Sequence, residues 1–242
     1  MSNKDLDLPT QQEMLAQFRC DEIASAAFAG FVAEIKPFRR PVETGTVLGT
    51  LGTDMGRHRT SAVAKFDKEA SRYHADVYKR KRLDLLDKLN TALSPLFLGQ
   101  LKNLHKTILA SFKSSIVEKL RGEGYDFGQV VSEERSKAET TFKEAATLLL
   151  LADTDWSITE EVSQFDQEID QVAQQCRAEE TVKMVTQIER ALKKAIAEPT
   201  ELALAKPDKE MWDRTLSAFQ AALHKAEQTY LAKAKSASYS CC

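Results

Sequence analysis

Four histidines, His58, His74, His105 and His224, are the side chains of this chain best suited to hold a metal or move a proton near neutral pH. Helical metal sites need two histidines at i,i+4, or a glutamate three residues before a histidine, so that both ligands leave one face. Neither spacing occurs, so the four read as ordinary polar or interfacial histidines. The glycine-rich run Gly45–Gly56 (GTVLGTLGTDMG) is the second candidate. A phosphate loop needs G-x-x-x-x-G-K-[ST], because its lysine meets the β- and γ-phosphates. No lysine follows these glycines and no convincing strand precedes them, so the run reads as a flexible loop. Lys79-Arg80-Lys81-Arg82 could meet anionic lipid or an acidic partner surface. With Asp84 and Asp87 close behind, a solvated helix turn is the simpler reading. Cys20 and Cys176 read as small core residues. With no C-x-x-C, a zinc ribbon is not expected. Trp156 and Trp212 read as anchors between helices, with a docking patch as the alternative.

The elements that would position these residues are helices. The chain has 242 residues, 43% of them hydrophobic and 7% aromatic, with only 9 Gly and 6 Pro, too few turn residues for a β-rich domain. The 34 basic and 36 acidic residues show no excess of positive charge, which argues against a nucleic-acid partner. The longest apolar run, Ala145–Ala152, is far short of the ~20 residues that span a bilayer. The polar start MSNKDLDLP is no signal peptide, and the cysteines suggest a reducing compartment.

The prolines Pro9, Pro37, Pro41, Pro95, Pro199 and Pro207 are expected where helices start or stop, since an interior proline costs about 3 kcal/mol. A capping box at Thr10 and Glu13 starts the first helix, and Pro37 ends it. Residues 38–54 form a loop, with Thr53 or Asp54 capping the second helix. That helix carries Val63, Phe66, Ala70, Tyr73 and Val77 on one face and continues through Leu93. Ser94 caps a third helix with Pro95 at its first position, and Gly122 or Gly124 stops it. Asp126 caps a fourth helix, running to about Ala152. Ser157 and Glu160 form a capping box for a fifth, with a seam through Phe165, Ile169, Cys176, Val185, Ile188, Leu192 and Ile196, disturbed at Pro199. A last helix follows Pro207-Asp208 through Trp212, Leu216, Phe219, Leu223 and Tyr230. The expected fold is all-α: elongated tandem three-helix bundles with long helices. Residues 1–9 form an N-terminal tail, 10–235 the helical bundle and 236–242 a frayed C-terminal tail. Gly122, Gly124 and Tyr125 mark a candidate hinge.

Beyond these patterns, the residue order itself is distinctive. ASRYH, SPLFLGQLKNLH and GEGYDF in the middle, DLPTQQEMLAQFRCDEIA before them, and TDWS, QCRAEETVKMVTQIERALKKAIAEPTELAL and MWDRTL after them form an ordered series of words. Together they resemble the helical region of the fungal Sey-type and plant root-hair-defective GTPases. These are dynamin-like proteins, similar in role to atlastins, that fuse endoplasmic reticulum membranes. The resemblance covers about Asp7 to Lys235 and implies a helical stalk, or middle domain. Such a stalk transmits GTP-driven dimerisation to the membrane and performs no catalysis itself.

In the resembled family the nucleotide site lies in a GTPase domain before this segment, so residues 1–9 would end a linker from that domain. No catalytic, cofactor or metal residue is carried over, and GTP and magnesium would belong to the full-length protein. The implied partners are the GTPase domain and stalk of a second copy, as a homodimer. Membrane contact would come only through transmembrane segments elsewhere, and the implied location is the cytosolic face of the endoplasmic reticulum. Cys241-Cys242 reads as a boundary created by truncation or by the gene model, rather than as a lipidation signal. The alternative function is a free-standing helical scaffold or adaptor, or a truncated paralogue, that binds a partner helix. An enzyme with an unrecognised site is the remaining class.

Overall fold

The computed structural model describes residues 11–121, 125–205 and 207–236, and side chains as far as residue 232. Among the described residues there are six helices and no strand, as the composition predicts. They are α1 (Gln11–Glu43), α2 (Leu51–Ala70), α3 (Ala75–Lys119), α4 (Phe127–Thr147), α5 (Thr159–Ala205) and α6 (Met211–Ser236). The expected N-terminal tail, Thr10 of the first capping box and residues 237–242 fall outside the described residues, while Ser236, expected to open the frayed tail, is the last residue of α6.

Prolines do not punctuate this chain as expected. Pro37 and Pro41 lie inside α1, Pro95 inside α3 and Pro199 inside α5. Each lacks an N–H and crowds the carbonyl four residues back, at a cost of about 3 kcal/mol. Buried neighbours on both sides offset that cost in α1 and α3, whereas Pro199 has no buried residue beside it. Ile35 and Val42 flank the α1 prolines, and Leu93, Leu96 and Phe97 surround Pro95. Fully burying one such side chain contributes about 1.5–3 kcal/mol, so a continuous apolar face outweighs one missing hydrogen bond. Ser94 is therefore an interior residue of α3 and caps nothing.

The real break between the second and third helices comes at Ser71–His74, a turn inside the expected helix. The loop expected at 38–54 shrinks to 44–50, so Thr53 and Asp54 lie inside α2. At its start the Thr50 hydroxyl donates to Asp54 Oδ2 at 2.9 Å, a side-chain link that leaves the backbone N–H groups uncapped. α4 ends at Thr147, and a non-helical stretch reaches Ile158.

The chain forms two compact units. Unit 1 holds Met1–Ile108 and Thr141–Ser163. Its core includes Phe31 and Ile35 of α1, Met55 and Phe66 of α2, and Leu85, Leu89 and Leu93 of α3. α1 packs on α2, and His58 with Lys65 of α2 holds Glu34 of α1 at 2.8 and 3.0 Å. Hydrogen bonds from Lys65 and then His58 pull the Glu34 carboxyl below its ordinary range.

α2 approaches the stretch after α4 closely at Gly52. A Cβ there would meet the Leu148 carbonyl oxygen at 1.9 Å, so no side chain fits. Arg59 donates to the Ala152 carbonyl at 2.7 Å and so ties the same stretch to α2. Trp156 stacks on Phe97 with ring centroids 4.6 Å apart.

Unit 2 holds Leu109–Thr140 and Gln164–Cys242. Its buried apolar residues include Phe112 and Ile116 of α3, Leu120 just after it, Phe127 and Val131 of α4, and Phe165, Ile169 and Cys176 of α5. Charged pairs rim them. Lys119 of α3 reaches Glu134 of α4 at 2.9 Å, and Arg135 of α4 bonds both Glu139 and Asp170 of α5. The hydrogen bond from Lys119 holds the largely buried Glu134 carboxyl below its ordinary range.

Candidate functional site

The glycine-rich run has its backbone already engaged. Gln100 of α3 is buried, and its amide clasps Leu48 from both sides. Leu48 N–H donates to Gln100 Oε1 at 3.3 Å, and Gln100 Nε2 donates to the Leu48 carbonyl at 3.0 Å. Asn103 donates to the Val42 carbonyl at 2.8 Å, one turn further along α3. The loop is thus a clamped corner of unit 1. Neither Gln100 nor Asn103 stands out as a functional residue in the sequence. The available signal is position: Gln100 interrupts the apolar face Leu93–Phe97–Leu104 at helical spacing, where a polar side chain must find a buried partner.

The histidines are structural neighbours of carboxylates. His58 Nδ1 pairs with Glu34, and His74 Nε2 lies 3.8 Å from Glu13. His105 is buried, with Nδ1 2.7 Å from Glu161 Oε1 and its ring edge-on to Phe142. His224 is exposed on α6. Among the described residues no three His, Cys, Asp or Glu side chains group as metal ligands would. Burial pushes the Cys20 and Cys176 thiols up, which makes the reactive thiolate scarcer.

The basic cluster divides by face. Lys81 pairs with Asp21 of α1 at 2.6 Å and Arg82 with Asp67 of α2 at 3.0 Å, while Lys79 and Arg80 are exposed. Two of the four charges therefore fasten helices to one another.

Of the candidate hinge, Gly122 and Gly124 lie outside the described residues. Tyr125 is half-buried, and its hydroxyl donates to Glu180 Oε1 of α5. Burial, then the Glu180 bond, push its phenol up to about 12. Next to it, Asp126 Oδ1 accepts the Gln129 N–H at 3.0 Å and closes the first turn of α4. At the other expected caps, Glu13 is a half-buried residue of α1. Ser157 Oγ accepts the Thr159 N–H at 3.2 Å, one residue short of the capping-box partner, and Glu160 is exposed in the first turn of α5. An acidic residue there still favours the helix N-terminus electrostatically.

The two tryptophans part company. Trp156, in the stretch between α4 and α5, stacks on Phe97 of α3, whereas Trp212 is 72% exposed on α6. Among the described residues no helix is long and apolar enough to cross a membrane.

The arrangement is one of helices held by buried faces and short polar ties, and known proteins share its sequence. Residues 49–240 match the family described as the Sey1 three-helix bundle domain. The protein SEY1 of Mycosarcoma maydis is 57% identical over 98% of this chain, which spans 28% of that relative. The SEY1 proteins of Laccaria bicolor and Cryptococcus neoformans are 54% and 50% identical over 97% and 100% of the chain, which spans 30% and 29% of their lengths. With a family match over most of its residues, this chain belongs to the Sey1 family, and what it carries of that family is helical-bundle sequence.

Proposed function

We propose that this segment is the stalk of a dynamin-like GTPase that joins endoplasmic reticulum membranes. It would carry a pull or rotation, generated by nucleotide-driven dimerisation elsewhere in the longer protein, toward the membrane. The observation that carries the reading is helix continuity. α3 and α5 run for 45 and 47 residues without a break, each about 70 Å of helix at 1.5 Å per residue. α3 keeps going through Pro95, between buried flanks, and α5 through Pro199. Membership of the Sey1 family supports the same assignment. On this reading GTP and magnesium bind outside these residues, and the partner is a second copy of the full-length protein. The segment would work on the cytosolic face of the endoplasmic reticulum.

The test is to make one of these helices compliant. Three glycines inserted after Arg190, on an exposed part of α5, are expected to reduce lipid mixing by the full-length protein far more than its GTP turnover. Unchanged lipid mixing, or equal loss of both activities, would overturn the stalk reading. The candidate hinge has its own test in the same assay: Gly122→Ala with Gly124→Ala should slow fusion more than turnover.

A further inference from the structure

α1 and α3 run side by side in unit 1. Lys81 pairs with Asp21 and, further along both helices, Asn103 donates to the Val42 carbonyl at 2.8 Å, so the two helices are parallel. At that second level they come close: a Cβ on Gly99 would lie 2.5 Å from Val42 Cγ1. The facing directions then follow from about 3.6 residues per turn. Glu34 and Phe38 of α1 meet His58 of α2, and Val42 meets α3. Lys36, Arg39 and Arg40 are left on the outer arc of α1, all three exposed. On α3, Phe97, Gln100 and Leu104 turn inward, while Lys102 and Lys106 share the outer arc and are exposed. Because Val42 is level with Gly99 and Asn103, the two rows of positive charge lie beside each other on one face.

The charge of this face departs from that of the chain as a whole, where 34 basic and 36 acidic residues nearly cancel. Residues 35–42 and 88–117 contain no acidic residue. Glu34 is occupied by His58 and Lys65 of α2, which leaves Glu43 as the acid beside the patch. Among the described residues none of the five cations pairs with a carboxylate, whereas Lys81, Arg82 and Lys65 of the same unit all do. Like charges held together without partners repel, so no gain within this unit accounts for the cluster. Leu98, one turn before Lys102, is 51% exposed.

We infer that this α1–α3 face docks on the anionic phospholipid headgroups of a bilayer. Charge complementarity carries the assignment: the cytosolic leaflet is negative, and each basic side chain brought to it adds attraction. The guanidinium groups of Arg39 and Arg40 can each hold two phosphate oxygens. Shape favours a membrane over an acidic peptide. Val42 packed against Gly99 closes the seam between the helices, so a peptide finds no groove there, while a plane of headgroups meets both rows at once. Leu98 adds a shallow apolar contact of the kind interfacial helices make. A second copy would present the same positive face and be repelled. The inference rests on the working place proposed above, the cytosolic face of the endoplasmic reticulum, and adds a direct contact between bundle and lipid.

Co-sedimentation of the 242-residue chain with vesicles, in the absence of nucleotide, tests it. Vesicles of phosphatidylcholine with about 30% phosphatidylserine should bind roughly tenfold more chain than phosphatidylcholine alone, and the excess should vanish between about 0.05 and 0.5 M salt. Arg39→Gln with Lys102→Gln should lower binding to the anionic vesicles about tenfold, and Arg39→Lys with Arg40→Lys should hold it within about threefold. Arg57→Gln with Lys68→Gln removes the same charge from exposed positions of α2 and should leave binding within about twofold. Equal binding to both vesicles, no binding to either, or equal loss in the two glutamine pairs would overturn the inference. So would capture of a glutamate-rich peptide without vesicle binding, which would mark an acidic protein partner. Any of these results leaves the stalk reading standing, because lipid mixing against GTP turnover in the full-length protein decides that one.

Discussion

Trp156 and Trp212 belong to words of similar distinctiveness, TDWS and MWDRTL, and they end in opposite surroundings. The first lies against Phe97 in unit 1, where Arg59, Gln100 and Asn103 tie side chains to backbone carbonyls. The second stands on a helix with no buried residue among those described. In unit 1 the apolar faces of α1, α2 and α3 meet one another, so polar atoms caught between them must pair. At the α5–α6 end the apolar side chains are equally regular in spacing, but one stripe stays exposed among the described residues. Periodicity marks a face as sticky; the presence of a neighbour makes it a core.

The largest expected effect is in unit 1. Phe66→Ala removes a fully buried ring stacked on Tyr78 at 5.9 Å and should cost about 3–5 kcal/mol in urea unfolding. A cost under about 1 kcal/mol, typical of ordinary surface changes, would erase the contrast between the two regions. Next comes Gly52→Ala, whose methyl would run into the Leu148 carbonyl. Overpacking against backbone should cost about 1–3 kcal/mol or more, and a neutral result in thermal unfolding would show that the 148–158 stretch is free to move away.

Tyr125→Phe should cost about 1.5 kcal/mol through the lost bond to the Glu180 carboxylate. Its pH signature is more specific. The folded phenol titrates at about 12, above the ordinary value of about 10. Between those values the unfolded chain gives up its proton while the folded one keeps it, so stability falls as pH rises. The contribution is full below about pH 10 and lost through 12. Tyr125→Phe should flatten that part of the alkaline limb of a pH–stability curve, and an unchanged limb would place the effect elsewhere. The smallest change is Trp212→Ala. In the 242-residue chain it should alter stability by no more than about 0.5 kcal/mol. A loss like that of Phe66→Ala would mean that the α6 stripe is already covered.

The helical class, the apolar faces of α2 and α3 and the family are legible in the residues, because 3.6-residue spacing and word order survive without coordinates. Boundaries at prolines are not. Whether Pro37 or Pro95 ends a helix depends on how much apolar surface its flanks bury, and burial is a property of neighbours far along the chain. The missing lysine shows that the Gly45–Gly56 run is no phosphate loop, yet its clamp by Gln100 joins residues 52 apart in sequence, beyond the reach of local pattern.

What this sequence determined by itself was a set of amphipathic helices and their kinship, since both follow from the order and type of adjacent residues. Only the tertiary structure decided which faces became cores. It placed Gly52 where backbone alone can pass, paired His105 with Glu161, and left the Trp212–Tyr230 stripe open. The physical reason is one of magnitude. Local preferences amount to tenths of a kcal/mol per residue, whereas burying one large side chain amounts to several times more. Burial on that scale depends on partners that no single stretch of sequence names.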